Sequence, residues 1–336
     1  MLSWGAAGDQ KHLLIDSGIP GTYRFIKADL QRLSKLDGVI ITHVDYDHLG
    51  GFLKLLADQN PPVPKSFPVY MNTPSLVLTP QDDDKVDLEH GIELDKKLSD
   101  IDIVCKPLYK GMTLNNLLTI DELQIKVLSP PKKVIDELLG KWTAENLYKQ
   151  YQKESQDSDK VGKPSDDLIS YEDVIKADET VHQWEADLIN SSSMAFIASY
   201  AGCAILFLGD ANPVLIAEEL GRLGFDSSNR LKVDMVKVSH HGCKHNSSIA
   251  LFSAIECENY LISSNGAGPY YHPDRETVIR LAEYARPSKG SFLNIYFNYP
   301  LDTSNFITNK EAAAWKINLV HKNSFNFYDC KCFQKK

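Results

Sequence analysis

The chain has 336 residues, 43% of them hydrophobic, which is enough apolar content to bury the core of one large α/β domain or two ordinary ones and excludes a disordered chain. Acidic residues outnumber Lys and Arg by 45 to 36, and a formal net charge of -9 excludes a global positive field for gathering nucleic acid or coating an anionic membrane. Any anionic substrate must be held locally. No apolar run of about 18 residues occurs, and the opening MLSWGAAGDQKHLLIDSG has neither the basic nor the apolar region of a secretory signal, so the expected compartment is the cytoplasm, with no membrane partner.

In chain order, the runs HLLID (12–16), GVIIT (38–42), MAFIASY (194–200), AILFLG (204–209), DMVKVS (234–239) and NYLISS (259–264) read as strands buried on both faces. Between them GGFLKLLADQN, PPKKVIDELLGKWTAENLYKQYQ, NPVLIAEELGRLG and RETVIRLAEYAR carry helical periodicity. This alternation predicts an α/β fold. The stretch from about 153 to 190 is rich in Ser, Asp, Lys, Gly and Pro and reads as a polar insertion or mobile loop, expected to pack poorly and to border the site as a lid or partner surface. From about residue 313, AWKINLVHKNSFNFYDC reads as one or two closing strands. The expected organisation is one domain over 1–300 that contains the insertion, and an extension over 301–336 that closes it. Six scattered cysteines fit reduced thiols, and the CKC pair at Cys330 and Cys332 is a weak metal signal without further partners.

Three of the apolar strands run directly into ligand-type residues. GVIIT leads into His43, Asp45, Asp47 and His48 within ITHVDYDHLGG; AILFLG leads into Asp210; DMVKVS leads into His240 and His241. Strand carboxyl ends are where α/β sheets collect their sites, so these residues are expected around one rim pocket. In an extended backbone His43 and Asp45 share a face, while Asp47 and His48 sit at the turn into a helix starting near Leu49 and point to a second spot. Two ligand pairs imply two cations, and Gly50 and Gly51 are expected to let the chain turn tightly beside them. The alternative, a solvating polar loop, would crowd acids and imidazoles at a cost that only a cation offsets. Asp210 alone reads equally as the N-cap of the following helix or as a carboxylate bridging two metals. Of His240 and His241, one is expected to bind metal and the other to face the substrate; the working assignment gives His241 to the metal and leaves the reverse open.

Together these motifs resemble the metallo-β-lactamase superfamily over about residues 12–285. The signature H-x-H-x-D-H appears as His43-x-Asp45-x-Asp47-His48, the bridging acid as Asp210 in LFLGD and the late histidine within SHHG, with Asp16 of LLIDSG supporting the metal loop. Asp in place of the second histidine, with NSSSMAF, VKVSHHGCKHNSS and ISSNGAGPYYHPD, is similar to the soluble hydrolase domain of the bacterial competence DNA-uptake channel and its stand-alone relatives. The resemblance implies a four-layer αββα sandwich and a dinuclear site between its sheets, holding two divalent ions, Zn or Mn. Two departures stand out. The family's middle histidine has no counterpart before LFLGD: Ser191 to Ser193 occupy that region, with His182 upstream as a candidate substitute, so the first metal site is oxygen-rich and favours Mn²⁺ or weakly held Zn²⁺. Relatives also begin with another strand before LLID, so the start is expected to be truncated or to use a short edge.

The chemistry implied is hydrolysis of a phosphodiester, with nucleic acid as a candidate substrate, by a metal-activated water. Asp47 would orient that water, and His240 and His272 would face the substrate. Pro273, taken as the first turn of the next helix, would set that helix's N-terminus beside His272 as an anion site, with Lys244 and His245 adding positive charge; His272 reads equally as a cap. Two other classes stay open: a hydrolase of a small lactone, thioester or amide, and a non-catalytic regulatory protein whose site has decayed.

Overall fold

The computed structural model describes residues 1–72, 103–142, 169–176, 181–266 and 271–325. A first sheet has the order β1 (Leu2–Trp4), β2 (Lys11–Ile15), β3 (Gly38–Ile40), β4 (Val69–Tyr70), β5 (Cys105–Lys106). The short edge strand β1 is antiparallel to β2 and the remaining pairs are parallel. Helices α1 (Tyr23–Leu30) and α2 (Tyr46–Ala57) follow β2 and β3.

The later strands are β6 (Leu117–Ile120), β7 (Leu123–Ser129), β8 (Ala195–Tyr200), β9 (Cys203–Phe207), β10 (Leu231–Lys232), β11 (Met235–Lys237), β12 (Ile255–Glu256), β13 (Asn259–Ile262), β14 (Leu293–Phe297) and β15 (Ile317–His321). Eight of them form a second sheet in the order β15-β14-β13-β11-β9-β8-β7-β6, while β10 and β12 pair separately. From β15 to β9 the neighbours are parallel, and from β9 to β6 antiparallel. The helices between them are α3 (Lys132–Trp142), α4 (Tyr171–Lys176), α5 (Leu188–Ser191), α6 (Pro213–Arg222), α7 (Ile249–Ser253), α8 (Arg275–Arg280) and α9 (Asn309–Ala314).

Strand alternation sorts the apolar side chains into stacked cores. Leu14, Val39 and Ile41 join Leu30, Leu49, Phe52 and Leu55 of α1 and α2. Their neighbours Leu13 and Ile40 point the other way, onto Ile125, Val127 and Phe196 of the second sheet. The far face of that sheet, through Leu206, Val236, Tyr260 and Ile295, packs on Ile216, Leu220, Phe252 and Val278 of α6, α7 and α8. The order is helices, sheet, sheet, helices, the αββα sandwich expected. Each of these large side chains contributes about 1.5–3 kcal/mol on burial. Phe306, Ile307 and Ile317 lie in the same outer core, and β15 closes the sheet edge.

Several expectations change. Helix α2 starts at Tyr46, not near Leu49, because Asp45 is extended (φ -65°, ψ 142°) and serves as N-cap; Asp47 and His48 therefore occupy its first turn. Gly50 and Gly51 lie inside this helix and make no turn. A Cβ on Gly51 would sit 2.3 Å from the Ser17 carbonyl oxygen, and one on Gly50 2.6 Å from Pro20 Cδ, so their smallness seats α2 on the 17–20 loop. The β6–β7 hairpin and β14 were not anticipated, nor were the two-residue strands, which are too short to show a period. Among the described residues one closing strand, β15, is found where one or two were expected. Residues 153–168 and 177–180 of the insertion lie outside the described residues. Its described parts are docked: Val174 is buried, the Tyr171 ring lies 5.0 Å from Trp315, Arg275 Nε donates to the Ile169 carbonyl, and Leu188 packs with Leu138. Cys105, Cys203, Cys243 and Cys257 form no disulfide, whereas Cys330 and Cys332 lie outside the described residues. Among the described residues no helix is long and apolar enough to cross a membrane.

Candidate metal centre

The site is built where the two sheets meet at their strand ends. Asp16 follows β2 in a left-handed conformation (φ 52°), and its carboxylate accepts from Thr42 N (2.8 Å), Thr42 Oγ1 (2.9 Å) and His48 Nδ1 (2.8 Å). The loop after β3 is thereby held at both ends. It is tied to the second sheet by Met194 N donating to the Thr42 carbonyl (3.0 Å). Across the gap, the parallel neighbours β9 and β11 deliver Asp210 and His240 side by side, and His240 N donates to the Gly209 carbonyl (3.1 Å). Asn246 Nδ2 donates to the Asp210 carbonyl (3.0 Å), and Ser193 Oγ accepts from Asp210 N (2.9 Å). Ser193, in the stretch before LFLGD where the resemblance implies a histidine, thus fixes the Asp210 backbone.

Four imidazoles share one logic. Behind His48 stands the Asp16 carboxylate, behind His43 the Thr42 hydroxyl, whose own proton goes to Asp16, behind His240 the Asn246 amide oxygen, and behind His241 the Ser263 carbonyl. Each partner accepts, so Nδ1 carries hydrogen and the Nε2 lone pair of each neutral ring is turned inward. His48 Nε2 lies 3.3 Å from Asp210 Oδ2 and 3.7 Å from Asp47 Oδ2, His240 Nε2 lies 3.9 Å from Asp210 Oδ2, and His241 Nε2 lies 3.1 Å from Asp47 Oδ2. His43 Nε2 lies 3.4 Å from Asp45 Oδ2. The floor of the site, His43, His48 and Asp210, is buried, while Asp47, His240 and His241 form a half-exposed mouth.

Burial alone would raise the Asp210 carboxyl, but His48, His240 and Lys237 hold it well below the usual range. Asp47 is likewise held low against its burial, by His241 and His48. Burial opposes protonation of His48, yet Asp210 and Asp16 push its pKa well above the ordinary value, whereas at His240 burial wins and lowers it. Buried His43 Nε2, His48 Nε2 and Asp210 Oδ1 have no hydrogen bond. These three, two imidazole nitrogens and a carboxylate oxygen facing one gap, are donors that a cation would take up. Among the described residues donor atoms fall within 4.8 Å of one another in three groups, two of which share His48: His43 with His48 and Asp210, and Asp47 with His48 and His241. These residues fit a divalent metal.

The expected residues His43, Asp45, Asp47, His48, Asp210, His240 and His241 are brought together. Both His240 and His241 turn Nε2 inward, so both qualify as ligands. His272 borders the site, its ring 6.0 Å from that of His240. His182 joins no donor group among the described residues; its ring lies against His245 at 4.4 Å and its carbonyl accepts from Asn212. The anion site proposed at the next helix is not built: Pro273 precedes the N-cap Asp274, Glu276 stands in the first turn of α8, and these acids already complement the helix dipole. Lys244 is paired with Glu276 (2.9 Å) and adds no unbalanced charge. Sequence reasoning missed Lys237, whose Nζ lies 3.8 Å from Asp210 Oδ1; its signal was a lysine inside the apolar strand DMVKVS. It also missed the group of Cys243, His272 and Asp274 beside the site, where burial pushes the Cys243 thiol up to about 12.

A family model described as "Metallo-beta-lactamase superfamily" matches residues 3–66, the segment that holds His43, Asp45, Asp47 and His48. No curated protein matches the sequence. Among solved structures, the chain is similar to the metallo-beta-lactamase fold protein YhfI from Bacillus subtilis at 12% identity and TM-score 0.39, over 96% of this chain and 89% of that one. It is similar to Zn²⁺-bound PqqB from Methylobacterium extorquens at 13% identity and TM-score 0.41, over 95% and 84%. A new diphosphatase from the PhnP family is similar at 11% identity and TM-score 0.38, over 96% and 83%.

Proposed function

We propose that the chain is a metal-dependent hydrolase of the metallo-β-lactamase superfamily acting on a phosphodiester, nucleic acid being one such substrate. The observation that carries this reading is the inward convergence of four imidazole Nε2 atoms on Asp47 and Asp210, each backed by an acceptor at Nδ1. Such ligand orientation is the usual support of a metal site. His43, His48, Asp210, Asp47 and His241 would hold a divalent cation, Zn or Mn, which when bound supplies an activated water and stabilises charge developing on the attacked oxygen.

The chain's own groups perform the remaining tasks. Asp47, at the half-exposed mouth, would orient the attacking water. His241 Nε2 beside it steadies that carboxylate. His272, beyond His240, faces an incoming phosphoryl oxygen and donates to it. The buried floor keeps bulk water out of the reacting region.

A second reading, hydrolysis of a lactone, thioester or amide, uses the same residues, and a third, a decayed regulatory member, draws on the absent middle histidine and the commitment of Ser193 Oγ to Asp210. The test is metal quantification on freshly purified protein, followed by turnover of bis(p-nitrophenyl) phosphate, DNA, RNA and a chromogenic lactone with Mn²⁺ and Zn²⁺. Metal-dependent phosphodiester turnover supports the proposal. Faster lactone turnover points to the second reading, and protein that binds no metal to the third.

A further inference from the structure

We propose that a groove between α1, α2 and the loop after β14 holds the flanking part of a single-stranded nucleic acid whose phosphodiester reaches the metal centre. The proposal rests on the phosphodiesterase reading above and narrows its substrate from a small diester to an extended strand. The groove has a volume of about 660 Å³, and its walls carry Arg24, Lys27 and Lys54 with no acid among the lining residues. Lys27 is neutralised by Asp58 (2.6 Å), which leaves Arg24 and Lys54 as the cations the groove presents. In a chain of net charge -9 such a patch is the local charge that a polyanion needs. Phe25 is exposed on the same wall, and the Arg24 guanidinium lies 4.6 Å from its ring centroid, so cation and aromatic form one face. Exposed Tyr299 closes the groove from the second sheet.

Both walls lead back to the metal centre. Asp47, Gly50, Gly51 and Lys54 share one face of α2, and the 17–20 loop crosses that face at the two glycines. Lys54 therefore stands about 10 Å further along the helix than Asp47, too far to touch the diester under attack and placed for a neighbouring phosphate. On the other wall, Asn298 precedes Tyr299 and is bonded to Ser263 Oγ (3.1 Å) and Ser264 N (3.1 Å), while the Ser263 carbonyl backs His241. Cations for phosphates beside exposed rings for bases are the two elements of single-strand binding, and stacking on the rings requires base faces that a duplex hides. An acidic peptide would use the cations and leave the rings idle. Because neither element reads base edges, binding is expected to be tolerant of sequence and sensitive to salt.

The experiment measures, by fluorescence anisotropy at several salt concentrations, binding of the full chain to a labelled twelve-nucleotide oligothymidylate with phosphorothioate linkages, beside a dinucleotide, a duplex of the same length and poly-glutamate. It is repeated on the double variant Arg24→Ala with Lys54→Ala, on Phe25→Ala and on Tyr299→Ala, all exposed positions, with a thermal melt of each. Wild type is expected to bind the strand at least tenfold more tightly than the other three probes. The double variant should lose at least tenfold in strand affinity and flatten the salt slope by about 1.4, and each aromatic variant should lose at least fivefold. The double variant should also lower kcat/KM for the unmodified strand at least tenfold more than for bis(p-nitrophenyl) phosphate. A strand bound no better than the dinucleotide, the duplex or poly-glutamate overturns the inference, as do folded variants of wild-type affinity; turnover of the small diester then leaves the proposed activity standing. Tight, groove-dependent strand binding without any hydrolysis supports the groove and overturns the activity.

Discussion

His48 Nδ1 donates to Asp16 Oδ2 at 2.8 Å across 32 positions of sequence, and the same carboxylate holds the backbone and hydroxyl of Thr42. Asp16 touches no inward-facing lone pair, yet it orients one imidazole directly and a second through Thr42. Asn tolerates the left-handed conformation that Asp16 adopts, so Asp16→Asn changes the acceptor and spares the backbone. It is expected to weaken metal binding roughly 10- to 100-fold, measured by competition with a chelating dye. Unchanged affinity would show that the clamp is ornamental.

Gly51→Ala places a methyl 2.3 Å from the Ser17 carbonyl oxygen, backbone that cannot swing away. The helix carrying Asp47 and His48 must then lift off the 17–20 loop. A loss of about 2 kcal/mol in urea unfolding is expected, together with weaker metal binding. Gly21→Ala, where nothing lies within 4 Å, is the control and should be nearly neutral.

Asp47→Ala and Asp210→Asn are each expected to reduce phosphodiester turnover by on the order of a hundredfold or more, since one removes the orienting carboxylate and the other a ligand oxygen. His272→Ala should behave differently: it lies beyond His240 and belongs to neither of the donor groups that contain His48, so turnover falls while the metal held by those groups stays at the wild-type level. Full activity in Asp210→Asn, or loss of metal in His272→Ala, would reverse these roles.

The pairing of Arg275 with Glu311 carries a pH signature remote from the metal. Hydrogen bonding from Arg275 draws the Glu311 carboxyl from its ordinary 4.5 down to about 2. Because the folded value lies below the unfolded one, the pair's contribution is present above pH 4.5 and fades as pH falls toward 2. Glu311 is partly solvated, so the contribution is roughly 0.5–1 kcal/mol. Calorimetry should show Glu311→Gln melting about 2 °C lower at pH 7, with the gap narrowing by pH 3. A gap that stays constant over that range would contradict the assignment.

The layer order and most of the centre were legible because long buried strands, and the ligands at their ends, leave a dense local signal. His43 through His48 needed no tertiary knowledge to be grouped. Which partner each would face did need it: Asp47 meets His241 from 194 positions away, and Lys237 meets Asp210 only because β9 and β11 are neighbours. Helix N-terminal chemistry misled in two places. Pro273 suggests the first turn of α8 where Asp274 is the cap, and Gly50 and Gly51 suggest a turn where a helix needs close packing. In both, the deciding contact comes from a distant segment: Lys244 N on Asp274, and Ser17 O against Gly51.

His240, His241 and Gly242 follow one another in the left-handed region, at φ 44°, 55° and 89°. For glycine this is free, and Pro273 Cβ, 2.7 Å from where a Cβ would sit, forbids anything larger there. For the two histidines it costs about 1 kcal/mol or more each, strain that neighbouring contacts must overcome. A chain selected for robustness alone would place glycine at all three positions, and would lose both imidazoles. The kinked run thus stores local strain at the point where it aims two side chains from consecutive residues into one cleft.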